Sequence, residues 1–168
     1  MICGYKTCNE KNELYSERMK AIRFFEKKDD SFDLFGGGWS REEYPSYRGT
    51  VDDKLSTLSN YKFSICFENM KSKNGYITEK IFDCFFAGCV PIYWGAEDIT
   101  DYIPKDIFID FREFKDFEQL DNYLRNIDEE TYRSMIAKTE EFLNSEMFEK
   151  LFSVGAYVKR MTALILKE

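Results

Sequence analysis

Residues 61–95 read YKFSICFENMKSKNGYITEKIFDCFFAGCVPIYWG. Tyr61 to Phe67 is an apolar-rich run suited to a buried strand, and Asn74-Gly75 marks a turn. Thr78 stands where a helix cap is wanted, ahead of a helix predicted from Glu79 to Ala87. Gly88 then occupies the position at which left-handed backbone is common. Val90 to Trp94 returns as a strand. Strand, loop, helix and strand at this spacing make a βαβ unit, which requires a parallel sheet and puts a ligand beyond the carboxyl ends of its strands.

On the N-terminal side, Ile2 to Lys6 reads as a short strand, and Asn12 as the N-cap of a helix from Glu13 to Lys28 that ends in a charged loop. Ser31 to Phe35 is a second predicted strand, stopped by Gly36-Gly37-Gly38. A polar loop to Thr50 follows, and Asp52 or Asp53 caps a short helix through Leu58. On the other side, a strand is expected near Ile107 to Ile109. Phe117, Leu120, Leu124 and Ile127 then recur at helical spacing, as do Tyr132, Ile136 and Leu143, and finally Leu151 and Val158 to Leu164. The expected fold is α/β, a Rossmann-like parallel sheet with flanking helices. It forms one domain over residues 1–168, with an α/β core to about 145 and terminal helices over 146–168.

Composition narrows the function. A chain of 168 residues with 43% hydrophobic and 17% aromatic content is long enough and apolar enough for one packed domain. Its net charge of -7 argues against nucleic acid as a partner, so a bound phosphate must be held by local cations or backbone N–H groups. No apolar run approaches the roughly 20 residues of a membrane span, and no signal-peptide pattern is visible. Peripheral membrane contact is left open. The five cysteines lack CxxC spacing and there is no histidine, so reduced thiols are favoured over a zinc site. With no Asn-x-Ser/Thr acceptor either, the expected location is the cytoplasm. The lack of histidine also excludes a Ser-His-Asp triad, a Cys-His pair and an HExxH zinc helix.

The loop from Glu68 to Ile77 leads into the N-terminus of a helix, where free N–H groups and the dipole favour an anion. Thr78 and Glu79 suit that position, whereas Lys80 is a cation set against the dipole. It answers either a bound anion or only solvent. Glu79 can accept two hydrogen bonds from adjacent ribose hydroxyls or simply complement the dipole. Tyr76 offers a ring face and a phenol to a ligand, or a core contact. Glu68 and Asn69 end the strand and can orient the loop through its backbone. Leu14, Arg18 and Ile22 are four apart, so Arg18 lies on the inward stripe of its helix. There it meets a diphosphate through bidentate bonds or snorkels to solvent. Lys6 and Lys54 are further cations without a supporting pattern. Gly36 to Gly38 lacks the GxGxxG and GxxxxGK[ST] patterns, and no DxD sequence is present, so fixed cations are expected in place of a metal ion.

Tyr61-Lys62-Phe63, Phe67-Glu68-Asn69, Tyr76-Ile77-Thr78-Glu79-Lys80, Ala87-Gly88, Val90-Pro91 and Gly95 together resemble the signature of glycosyltransferase family 10, the α-1,3/1,4-fucosyltransferases. The Tyr93-Trp94-Gly95 ending is closer to the bacterial members. The resemblance implies the C-terminal, donor-binding half of a GT-B fold and an inverting transfer of fucose from GDP-β-L-fucose to N-acetylglucosamine-containing glycans, with no cofactor required. It assigns Glu79 to the ribose hydroxyls, Lys80 and Arg18 to the diphosphate, and Tyr76, Asn69 and Thr78 to the donor pocket. The family's catalytic base is a Glu of the N-terminal acceptor domain, which no residue here matches, so the catalytic residue is unassigned and the oligosaccharide acceptor would be bound by a domain missing here. An alternative is a non-catalytic GDP-sugar-binding remnant or assembly module. Exposed interdomain surface would favour self-association.

Overall fold

The structure, a computed structural model, describes residues 1–28 and 31–166. Part of the charged loop after the first helix, and the last two positions of the predicted terminal helices, lie outside them.

Two parallel sheets carry the fold. β1 (Leu34–Phe35) pairs with β2 (Tyr47–Gly49), and β3 (Phe63–Ile65), β4 (Val90–Tyr93) and β5 (Ile109–Asp110) form a second sheet in that order. The N-terminal segment runs along the free edge of β1: Phe35 N–H donates to Met1 O (3.0 Å), Cys3 N–H to Phe35 O (2.9 Å) and Tyr5 N–H to Gly37 O (2.9 Å). Met1 to Cys3 and Ser64 to Phe67 line a common void, so the sheets abut there. The order is thus N-terminal segment, β1, β2 in one sheet and β3, β4, β5 in the other.

Helices flank these strands. α1 (Tyr15–Phe25) buries Arg18, Ala21, Ile22 and Phe25, and α2 (Lys54–Leu58) buries Leu58. α3 (Glu79–Phe86) buries Ile81, Cys84 and Phe85 on one stripe. α3 ends in a Schellman motif: Gly88, at φ 68°, donates to Phe85 O and Cys89 donates to Cys84 O. In the C-terminal third, α4 (Phe117–Asn126), α5 (Glu129–Leu143) and α6 (Glu146–Phe152) are N-capped by Asp116, Asp128 and Ser145. Phe82, Phe142, Phe148 and Phe152 meet edge-on or tilted and fasten α6 to α3 and α5. α7 (Val154–Leu166) buries no residue and leaves Val154, Tyr157, Leu164 and Ile165 exposed. None of the described helices is long and apolar enough to cross a membrane.

The sequence expectation is met in architecture and corrected in detail. Asn12 does not cap α1; it adopts φ 69°, Leu14 holds the cap position, and the Glu13 carboxylate accepts from Ser16 N–H at 2.9 Å. The Glu13 carboxylate, one position before the cap residue, thus satisfies an orphan amide of the first turn that Leu14 cannot. Asp53 caps α2, accepting from Ser56 N–H at 3.1 Å. β2 falls within the stretch predicted as loop, because a three-residue strand with Tyr, Arg and Gly carries no alternation to read.

Candidate functional site

A cleft of about 450 Å³ opens beyond the carboxyl ends of the N-terminal segment, β1 and β3. Ile2 to Lys6 and Gly36 form one wall; Tyr15 and Arg18 from α1, Asn69 after β3, Glu79 and Lys80 from α3, and Lys54 from α2 form the others. Gly36 has no alternative here: at φ +128° a Cβ would lie 2.0 Å from Cys3 O. Without that glycine the wall could not approach so closely.

Arg18 is buried on α1 and its guanidinium reaches back to the end of β3. Nε and Nη2 both donate to Phe67 O (3.1 and 2.6 Å), and Nη2 also donates to Asn69 Oδ1 at 2.9 Å. Its face lies over the Tyr15 ring, 5.0 Å from the centroid. α1 is held to this strand end through its own entry, since Leu14 N–H donates to Asn69 O (2.9 Å) and Lys71 N–H to Asn12 O (2.8 Å). Asn69 Nδ2 then donates to the Tyr76 hydroxyl at 3.3 Å. The buried guanidinium is thus satisfied by neutral acceptors, and no carboxylate pairs with it among the described residues. Its positive charge remains uncompensated at the cleft.

Glu68, Thr78 and Lys80 form a second unit. The Glu68 carboxylate is fully buried, accepts from Thr78 N–H (2.8 Å) and the Thr78 hydroxyl (2.7 Å), and pairs with Lys80 Nζ at 3.0 Å. Two expectations are corrected here. Thr78 occupies the N-cap of α3, yet its hydroxyl makes no capping bond because it is committed to Glu68. Lys80, set against the helix dipole, is answered by an internal carboxylate and not by solvent alone. Glu79 is exposed on the cleft wall, and among the described residues its carboxylate makes no hydrogen bond or ion pair.

Two cations that lacked a sequence pattern belong to the same cleft. Lys54 pairs with Asp83 at 2.6 Å, and Lys6 lies 5.1 Å over the same Tyr15 ring that Arg18 covers. Arg18, Lys6, Lys54 and Lys80 therefore converge on one space, in a chain whose net charge is -7. Burial pushes the Cys3 thiol up, which keeps it neutral beside them. Of the residues singled out from sequence, Arg18, Asn69, Glu79 and Lys80 line the cleft; Thr78 sits behind Lys80, and Tyr76 is joined to it only through Asn69. Tyr5, Tyr15 and Gly36 were not legible, since no local pattern links them to the Thr78–Lys80 turn.

The model of the C-terminal part of glycosyltransferase family 10 (fucosyltransferase) matches residues 5–159. The chain belongs to this family. Among curated relatives, the α-(1,3)-fucosyltransferase FucT of Helicobacter pylori is 38% identical over 97 residues, covering 57% of this chain and 20% of the relative. The 4-galactosyl-N-acetylglucosaminide 3-α-L-fucosyltransferase 9 of Homo sapiens is 33% identical over 111 residues, covering 64% of this chain and 29% of the relative. The fold superimposes on a crystal structure of an α1,3-fucosyltransferase with GDP-fucose at a TM-score of 0.59 and 28% identity, over 77% of this chain and 36% of that one. A second such structure, with GDP, gives 0.59 and 28% over 79% of this chain. The parallel α/β architecture of this family 10 chain matches those enzymes, and the chain spans between a fifth and little more than a third of its relatives' length.

Proposed function

We propose that this chain is the GDP-fucose-binding part of an inverting α-1,3-fucosyltransferase that modifies N-acetylglucosamine-containing glycans. The observation that supports this reading is the convergence of Arg18, Lys6, Lys54 and Lys80 on a cleft beyond the carboxyl ends of the parallel strands, with the Glu79 carboxylate exposed among them. In this reading Arg18 and Lys80 contact the diphosphate, and Glu79 accepts hydrogen bonds from the ribose hydroxyls. Asn69, Tyr76 and Thr78 shape the pocket, and Lys6 and Lys54 add to its field.

The reaction is a displacement at the anomeric carbon. An acceptor hydroxyl oxygen forms the new C–O bond, the bond from that carbon to the β-phosphate oxygen breaks, and the hydroxyl proton passes to a carboxylate base. Negative charge grows on the departing GDP as that bond breaks, so fixed cations stabilise the transition state more than the bound donor. Fixed side chains do this without a metal ion in our scheme. The base is assigned outside these residues, because Glu68 is enclosed by Thr78 and Lys80 and Glu79 is given to the ribose. Calorimetry tests the reading: the folded chain should bind GDP in preference to UDP and ADP, and no binding at millimolar GDP would remove it.

The enclosure of Glu68 also supports the second reading, a GDP-sugar-binding module without transfer activity of its own. The two separate on adding the acceptor-binding part of a family member in trans: fucose transfer to N-acetyllactosamine rejects the second. We further assign the protein to the cytoplasm, on the strength of five free thiols, and self-association to the exposed apolar side of α7. Cell fractionation and analytical ultracentrifugation test these assignments.

A further inference from the structure

We propose that Glu68 is a positioning residue of the cleft: it fixes the Lys80 ammonium so that one N–H remains for a single phosphate oxygen. The identity of that anion rests on the donor reading above.

The hydrogen-bond directions follow from chemistry. An ammonium only donates, so at the 3.0 Å contact between Lys80 Nζ and Thr78 Oγ1 the hydroxyl is the acceptor. Its own proton must then go to Glu68 Oε2, at 2.7 Å, while Lys80 Nζ donates to the same oxygen at 3.0 Å. The three groups close a ring. Glu68 Oε1 is occupied separately by Thr78 N–H at 2.8 Å, so each carboxylate oxygen has a partner. Two of the three ammonium protons are used inside the ring, and Lys80 lines the cleft where the third is directed outward by elimination.

Each member is unfavourable alone. A fully buried carboxylate needs a cation, and a lysine in the first turn of a helix works against the dipole. Paired, they correct one another. The carboxylate is also confined: Glu68 N–H donates to Trp94 O at 2.8 Å, and a Cβ on Gly95 would lie 2.5 Å from Glu68 Cγ. It has no room to swing away. Because Glu68 is not on the cleft lining, it acts on a ligand only through Lys80.

The test is a double-mutant cycle on the full chain by calorimetry, with GDP, guanosine and inorganic pyrophosphate as probes. Glu68→Gln should weaken GDP and pyrophosphate about tenfold and leave guanosine unchanged. In a Lys80→Ala background it should cause no further loss. Unchanged GDP affinity, an equal loss for guanosine, or additive losses would each overturn the proposal. Thr78→Val, which opens the ring without altering charge, is the second variant and should cost about threefold, again only when Lys80 is present. A folded wild-type chain that takes pyrophosphate but not GDP defeats the donor reading while the cycle still reads Glu68; one that takes neither defeats both.

Discussion

Arg18 and Asn69, 51 positions apart in sequence, are joined by a 2.9 Å hydrogen bond that ties the inward face of α1 to the end of β3. The same guanidinium donates twice to the neighbouring carbonyl of Phe67, and Asn69 passes the connection to Tyr76. A cation that lines the cleft is thereby also part of the framework that forms it.

Arg18→Lys should separate these roles. A lysine has no planar fork with which to hold Phe67 O and Asn69 together, so stability should fall by about 2 kcal/mol while the charge is retained. GDP affinity should fall as well, because a single ammonium cannot keep the same position. Thermal melts and calorimetry read the two effects, and an unaltered melt would contradict the framework role.

Glu79→Gln should behave in the opposite way. The side chain is exposed and carries no internal hydrogen bond among the described residues, so the melting temperature should not move. What should change is discrimination: the variant loses the preference for GDP over 2′-deoxy-GDP that a ribose-binding carboxylate confers. An undiminished preference would reassign Glu79 to the helix dipole.

Gly36→Ala should destabilise by at least about 2 kcal/mol, since the backbone is at φ +128° and the new methyl would sit 2.0 Å from Cys3 O. Gly37→Ala, where a Cβ meets nothing within 4 Å, is the control. Denaturant unfolding of the two variants checks the contrast.

Alkaline pH should unfold the chain partly through Tyr61. Burial and a 2.6 Å hydrogen bond to Asp33 push its phenol up to about 12. A pKa raised in the folded state gives stability that is complete below the unfolded value of about 10 and is lost as pH rises through about 12. Stability measured from pH 8 upward should show this decline, and Tyr61→Phe should flatten it.

Thiol titration should resolve two classes. Cys66, Cys84 and Cys89 are buried, whereas Cys3 and Cys8 are partly exposed. Ellman's reagent should therefore find the first group only after unfolding, with Cys8 reacting ahead of Cys3, whose thiol is raised by burial.

By itself the sequence determined the βαβ unit over residues 61–95, the helical C-terminal third and the inward placement of Arg18, because turn chemistry and apolar spacing are local properties. It also brought Thr78, Glu79 and Lys80 to one helix end. What it did not determine is the company those residues keep. Lys80 read as a cation answered either by a bound anion or by solvent, and only the packed structure supplies Glu68, ten residues before Thr78 on a different element. Lys6 and Lys54 carried no supporting pattern and Gly36 read only as a strand-ending turn; they join the cleft because parallel strands deliver their carboxyl ends, and the helix starts that follow them, to one edge whatever their separation in the chain. Ion pairing and strand register depend on distances through space, which tertiary packing alone decides.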